Sequence, residues 1–176
     1  MNNQLMFSSK NQAWDTPQDF FDKQNAIFSF DLDVCATEQS AKCANYFTPE
    51  INGLEQKWLG VCWCNPPYGS EQTEWIKKAY LEAQAGRAQT VMLLPARTDT
   101  KVFHRYIWDE AIDSWRTGVQ GIFIKGRLTF GSNDYWQWVW EQEIINGKPN
   151  TLYGKIGKKN PAPFPSMLVI FNPIKL

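Results

Sequence analysis

The residues with the clearest chemical content are Asn65-Pro66-Pro67-Tyr68, which end the short apolar run Gly60-Val61-Cys62-Trp63-Cys64. Proline holds φ at about −65° and donates nothing to a sheet ladder, so the pattern predicts a buried strand that stops at Asn65 and hands over to a stiff loop. That loop presents the carboxamide oxygen of Asn65, the backbone carbonyl of Pro66 and the flat face of Tyr68. Together they suit a planar amine. The exocyclic amino group of a nucleobase is a poor nucleophile, because its lone pair is delocalised into the ring. Two acceptors on its two N–H bonds draw the nitrogen toward tetrahedral geometry and localise that pair, while a stacked aromatic holds the ring. No strong base is required, since the nitrogen becomes acidic once alkylated and loses its proton to water. The same four residues also make an ordinary strand-to-loop turn, and a strand before with a helix after favours the chemical reading.

Such a loop needs elements around it. Thr16 stands as an N-cap with Pro17 at the first helical position and Asp19 at the capping-box position, which predicts a helix to about residue 26 with Phe20, Phe21 and Ile27 inward. Residues 28–36 alternate as a strand, and 38–45 read as a short helix. A second strand runs into a turn over 44–54, and Trp58 belongs in the core. After Tyr68, Ser70 caps a helix to about residue 85, with Trp75, Ile76, Ala79, Tyr80 and Ala83 as its buried face and Gly86 as its stop. Residues 90–95 are uniformly apolar, as a strand covered on both faces requires, and 96–99 open a helix to about residue 109. Residues 119–125 and 128–130 flank Gly126-Arg127 as a hairpin or bulged pair, and 166–171 close the sheet as a buried last strand. The expected fold is α/β: one domain over 1–176, doubly wound, with a mostly parallel, seven-strand-like sheet, helices on both faces, an antiparallel last strand and an excursion at 131–165.

Composition narrows the function classes. A length of 176 residues leaves little room for a second module, and 43% hydrophobic with 20% charged residues is ordinary for a soluble globular chain. The nine tryptophans favour flat contact surfaces as well as core packing. Net charge is zero, so only local asymmetry can draw in a polyanion. Over 31–74 the acids Asp31, Asp33, Glu38, Glu50, Glu55, Glu71 and Glu74 outnumber Lys42 and Lys57. Over 116–159 the balance reverses, with Arg116, Lys125, Arg127, Lys148, Lys155, Lys158 and Lys159 against Asp134, Glu141 and Glu143. The four cysteines, Cys35, Cys43, Cys62 and Cys64, lack zinc-site spacing and read as small buried hydrophobes in a reducing cytoplasm; no metal site is expected. His104, the one histidine, has no nucleophile motif nearby, which argues against a catalytic triad. No apolar run is long enough for a membrane span, and no basic-then-apolar leader opens the chain.

Asn-Pro-Pro-Tyr at a strand end resembles the catalytic motif of S-adenosylmethionine-dependent amino-methyltransferases. With the spacing of the other signals, the chain from Trp14 to about Asn172 resembles the small phage-type DNA N-6-adenine methyltransferases, the phage Dam family. The resemblance implies a sheet of the class I methyltransferase type and S-adenosylmethionine as cofactor. By resemblance, Trp14, Thr16 and Pro17 form a turn beside the cofactor's amino-acid end. Asp33-Val34-Cys35-Ala36 matches the family's cofactor loop in reduced form, without the Gly-x-Gly of larger methyltransferases, and lies where doubly wound sheets bind ligands. Asp33, Cys35 and Ala36 are therefore expected at the cofactor. Glu50 is placed to take ribose hydroxyls, with an exposed turn acid as the alternative, and Asn52 stands where the family has Asp-Gly-Leu. Asn65, Pro66 and Tyr68 are the expected catalytic residues.

The segment at 131–165 interleaves Tyr135, Trp136, Trp138 and Trp140 with the lysines that follow, a composition that suits bases and phosphates and equally a flap packed on the core. Lys148, Lys155, Lys158, Lys159 and Arg127 are the expected DNA contacts, and Arg97 reads either as a rim residue or as a phosphate contact. The expected activity is methyl transfer to adenine N6 in double-stranded DNA with the base flipped out, in the cytoplasm of a bacterial cell or phage-infected host, with no membrane and no obligate protein partner. The rivals are an RNA adenine, a cytosine N4 or a protein glutamine as the planar amine, or an inactive DNA-binding or anti-restriction module.

Overall fold

The computed structural model describes residues 15–131, 144–145, 148–149 and 161–174. In chain order the elements are α1 (Gln18–Phe28), β1 (Leu32–Asp33), β2 (Asn45–Tyr46), β3 (Gly60–Cys64), α2 (Gln72–Gln84), β4 (Ala88–Pro95), α3 (Lys101–Tyr106), β5 (Trp108–Asp109), β6 (Ser114–Trp115), β7 (Val119–Phe123), β8 (Ile144–Ile145), β9 (Lys148–Pro149) and β10 (Ser166–Phe171).

Six of these strands form one sheet in the order β2-β1-β3-β4-β10-β7. β1 runs parallel to β2 and β3, and β3 parallel to β4, with Cys62 opposite both Leu32 and Thr90. β10 is antiparallel to both neighbours, so the last strand is not an edge: it is inserted between β4 and β7, with Ser166 opposite Pro95 and Met167 opposite Phe123. All six residues of β10 are buried. Strand alternation sorts the core onto two faces. Cys62, Cys64, Met92, Leu94, Met167, Val169 and Phe171 point to one, under Trp75, Ile76, Ala79 and Ala83 of α2 and Phe103 and Tyr106 of α3. Trp63, Val91, Leu93, Leu168 and Ile170 point to the other, under Phe21 of α1 and the segments that carry Phe130, Ala162 and Phe164. The expected doubly wound α/β sheet, mostly parallel with one antiparallel strand, is thus present.

The local elements differ from expectation at several places, each for a physical reason. Pro17, not Thr16, occupies the N-cap of α1, with no side-chain cap, and Ile27 is 71% exposed. Phe28 still belongs to α1, because Ser29 closes the helix in a left-handed conformation, its N–H on Asn25 O, while the Asn25 side chain takes the N–H of Phe30. The first strand is left with two residues. Residues 38–40 form a turn and not a helix, since Thr37 and Ser40 hydrogen bond to each other and to each other's backbone N–H, offering the chain an alternative to helical bonds. Glu71, not Ser70, is the N-cap of α2, and Tyr80 is only half-buried. Thr100 caps α3, whose six residues give way to the β5–β6 pair. β7 pairs with β10 and not with 128–130; the Leu128 carbonyl instead accepts the N–H of Ala162. Among the described residues no helix is long and apolar enough to cross a membrane.

The chain leaves β1 toward β2 on one side, whereas β3 leads through α2 to β4 on the other. The carboxyl ends of β1 and β3 therefore flank the point where the winding reverses, which is where open α/β sheets bind ligands. Asp33 ends β1, and Asn65 follows the last residue of β3.

Candidate active site

β3 ends in Trp63 and Cys64, both buried, so Asn65 is delivered from a fixed base. Its carboxamide is held at both ends. Asn65 Nδ2 donates to Thr16 Oγ1 at 3.1 Å, and the Tyr68 hydroxyl donates to Asn65 Oδ1 at 3.1 Å. Pro66 is buried and Tyr68 half-buried. The edges or faces of Phe130 and Phe164 meet the Tyr68 ring at 84°, with centroids 5.9 and 5.5 Å away, a T-shaped arrangement favoured by ring quadrupoles. Burial pushes the Tyr68 hydroxyl well above the ordinary phenol range, so it keeps its proton and its role as donor.

Asp33 shapes the neighbouring loop. Only 3% exposed, its carboxylate accepts the N–H of Cys35 at 3.3 Å and of Lys42 at 3.1 Å, drawing residues 34–42 around it. Burial raises its pKa from 3.8 to about 6 despite these two bonds and the nearby Lys42. Asp15 is likewise raised by burial to about 6, opposed by Lys42. Burial lowers the pKa of Lys42, with Asp15, Asp33 and Asp22 resisting, and its Nζ donates to Gln18 Oε1 at 2.9 Å. Cys35 is half-buried and Ala36 buried, with the N–H of Ala36 on Phe47 O and that of Phe47 on Asp33 O, so the end of β2 is stitched to the same loop. Gly53 lies directly on it: a Cβ there would stand 2.1 Å from Val34 O and 3.2 Å from the Trp75 ring, so only glycine allows the approach.

The expected site residues fall into four groups. Thr16, Pro17, Asp33, Cys35, Ala36, Asn65, Pro66 and Tyr68 gather around the ends of β1 and β3, Thr16 with its hydroxyl on Asn65. Glu50 is exposed in the adjoining turn, held below the usual carboxylate range by a hydrogen bond from Thr48 and its own backbone N–H. Asn52, at a φ of 56°, turns its amide to Glu55 Oε1 at 2.8 Å. Arg97 is exposed beyond β4, and Arg127, also exposed, donates to Ala162 O at 3.3 Å. The backbone of Lys148 lies in β9 opposite Ile145, while its side chain, Trp14, Lys155, Lys158 and Lys159 lie outside the described residues. Sequence reasoning overlooked Asp15, Lys42, Phe130 and Phe164. Asp15 stands between Trp14 and Thr16, both expected at the cofactor; the two phenylalanines come from distant segments, and no spacing links them to Tyr68.

Among the described residues no group of three or more His, Cys, Asp or Glu side chains is placed to hold a metal ion. The cysteines are all free, and burial pushes Cys62 and Cys43 up to about 12 and holds Cys35 and Cys64 well above the ordinary thiol range, which leaves them as inert thiols.

A mostly parallel sheet with one antiparallel strand inserted near its end is the class I methyltransferase fold. Residues 4–175 match the family described as DNA N-6-adenine-methyltransferase (Dam). The chain is 38% identical over 148 residues to the DNA N-6-adenine-methyltransferase of Haemophilus phage HP1 (strain HP1c1), which covers 82% of this chain and 78% of that protein. It is 34% identical over 132 residues to the DNA N-6-adenine-methyltransferase of Escherichia phage T1, covering 69% of this chain and 54% of that one. A shorter match, 38% over 63 residues, joins 31% of this chain to 69% of the putative methyltransferase YfdM of Escherichia coli (strain K12). The chain belongs to the DNA N-6-adenine-methyltransferase (Dam) family. The family implies S-adenosylmethionine as methyl donor. The residues present fit that cation, because Asp33 at the end of β1 and Asp15 just ahead of α1 set two acidic side chains against the single ammonium of Lys42.

Proposed function

We propose that this chain transfers the methyl group of S-adenosylmethionine to the N6 amine of an adenine turned out of double-stranded DNA. The observation that carries this reading is the Asn65 carboxamide, held at both ends where the winding of the sheet reverses, with an aromatic three residues on. Asn65 Oδ1 and the Pro66 carbonyl accept the two N–H bonds of the target amine. An amide oxygen has two lone pairs, so Asn65 serves the amine while it keeps the Tyr68 hydroxyl. The face of Tyr68 stacks on the adenine, and Phe130 and Phe164 hold the tyrosine ring in place. Bound S-adenosylmethionine supplies an electrophilic methyl group. Water takes the proton released from the alkylated nitrogen.

In this reading Trp14, Thr16 and Pro17 border the amino-acid end of the cofactor. Asp33, with Cys35 and Ala36, shapes the loop that receives it, Glu50 takes the ribose hydroxyls, and Asn52 borders the adenine moiety. Arg97, Arg127, Lys148, Lys155, Lys158 and Lys159 contact DNA phosphates. The test is incubation with labelled S-adenosylmethionine and, separately, unmethylated duplex DNA, RNA and protein extract, followed by digestion. N6-methyladenine from the duplex alone is expected. Label in N4-methylcytosine, in RNA or on a glutamine amide, or no transfer at all, would sink the reading.

A further inference from the structure

An asparagine amide carries a donor and an acceptor on one pivot, and a half-turn about χ2 exchanges them. Only one of the two orientations can activate an amine; the other aims N–H at N–H. The loop's prolines fix the backbone of this site but say nothing about that torsion. Among the described residues two hydroxyls meet the amide: Tyr68 donates to Oδ1, and Thr16 Oγ1 accepts from Nδ2. Thr16 is 4% exposed, so water does not replace it as a partner. It is also held in register with the catalytic strand. The N–H of Phe21 bonds to Pro17 O, and the Phe21 ring packs edge-on against Trp63 at 5.4 Å, two residues before Asn65.

We propose that Thr16 is a positioning residue for the reaction: its buried hydroxyl, bonded to Asn65 Nδ2, holds the plane of the Asn65 carboxamide in place beside the target amine. This rests on the proposed amino-methyl transfer and gives Thr16 a task beyond bordering the cofactor. It also makes the first turn of α1 part of the catalytic loop, although 49 residues separate the two partners in the chain.

The test compares Thr16→Val, which keeps the shape and removes the acceptor, with Thr16→Ser, which keeps the hydroxyl. Thr16→Val should slow single-turnover methylation at saturating S-adenosylmethionine by about tenfold to a hundredfold. Thr16→Ser should restore most of the rate. In the cofactor-free protein, the side-chain NH2 resonances of Asn65 should move in the valine variant and stay in place in the serine variant; Thr16→Ala serves where valine does not fold. A wild-type rate in Thr16→Val, a serine variant as slow as valine, a defect confined to cofactor affinity, or unmoved Asn65 resonances would each overturn the proposal. If the wild-type protein methylates no adenine, the functional reading fails by itself, and the resonances still report on the anchor.

Discussion

At the residue scale, Asn65 and Tyr68 do different work, and substitutions should separate them. Asn65→Ala removes an acceptor whose value grows as the amine pyramidalises, so its single-turnover rate should fall on the order of 10²-fold or more while S-adenosylmethionine still binds. Tyr68→Ala removes a stacking surface worth about 1 to 3 kcal/mol and should weaken base capture as well as turnover. Tyr68→Trp keeps a π face, and Tyr68→Phe forfeits one further hydrogen bond to Asn65, which limits its loss to about tenfold. Near wild-type turnover in Asn65→Ala, or Tyr68→Phe as inactive as Tyr68→Ala, would contradict these roles. Gly53 is a separate case. Its missing Cβ lets the turn rest on Val34 O, so Gly53→Ala should destabilise the fold by about 3 kcal/mol, read as a lowered urea midpoint. An unchanged midpoint would mean that the turn can lift off without cost.

At the scale of elements, the loop built on Asp33 carries a pH signature. Its carboxyl has a folded pKa of about 6 against an ordinary 3.8, so the folded state holds a proton that the unfolded state has already released. Its stabilising contribution is complete below about pH 4 and is lost as pH rises through about 6. Wild-type stability relative to Asp33→Asn should therefore be greatest near pH 4 and shrink toward pH 7, measured by denaturant titration at each pH; a constant gap would show that burial does not govern this carboxyl. β3, α2, β4 and β10 were legible in the sequence because each has a clear period or an unbroken apolar run, and Asn65-Pro66-Pro67-Tyr68 because prolines allow few conformations. α1 was misjudged at both ends. Thr16 looks like a cap but spends its hydroxyl on Asn65, a partner 49 residues away that no local rule registers. The turn at 38–40 was misread because the hydroxyls of Thr37 and Ser40 compete with helical bonds, and the supposed hairpin at 119–130 because β10, far along the chain, takes β7 as its neighbour.

At the scale of the molecule, net charge is zero, so attraction to DNA must come from an uneven distribution of charge. If Lys148, Lys155, Lys158 and Lys159 make roughly three phosphate contacts, they contribute about −3 to the log–log salt slope of DNA binding. Replacing them with Gln should flatten the slope by that amount, and an unaltered slope would put the duplex on another surface. The placement of β10 bears on how the sheet is assembled. β4 and β7 are not neighbours; each pairs only with β10 on its facing side, and β10 follows both in the chain. During synthesis β1 to β4 can therefore pair as they emerge, while among the described strands β7 has no partner and the apolar flank of β4 stays open until residues 166–171 arrive. Completion of the sheet is an insertion between two waiting strands. Amide protection in β4's outer edge, β7 and β10 should therefore rise in one step during refolding, and a ribosome stalled before Ser166 would hold a half-sheet open to aggregation, which makes the interval between the synthesis of β7 and that of β10 the vulnerable moment in the life of this enzyme.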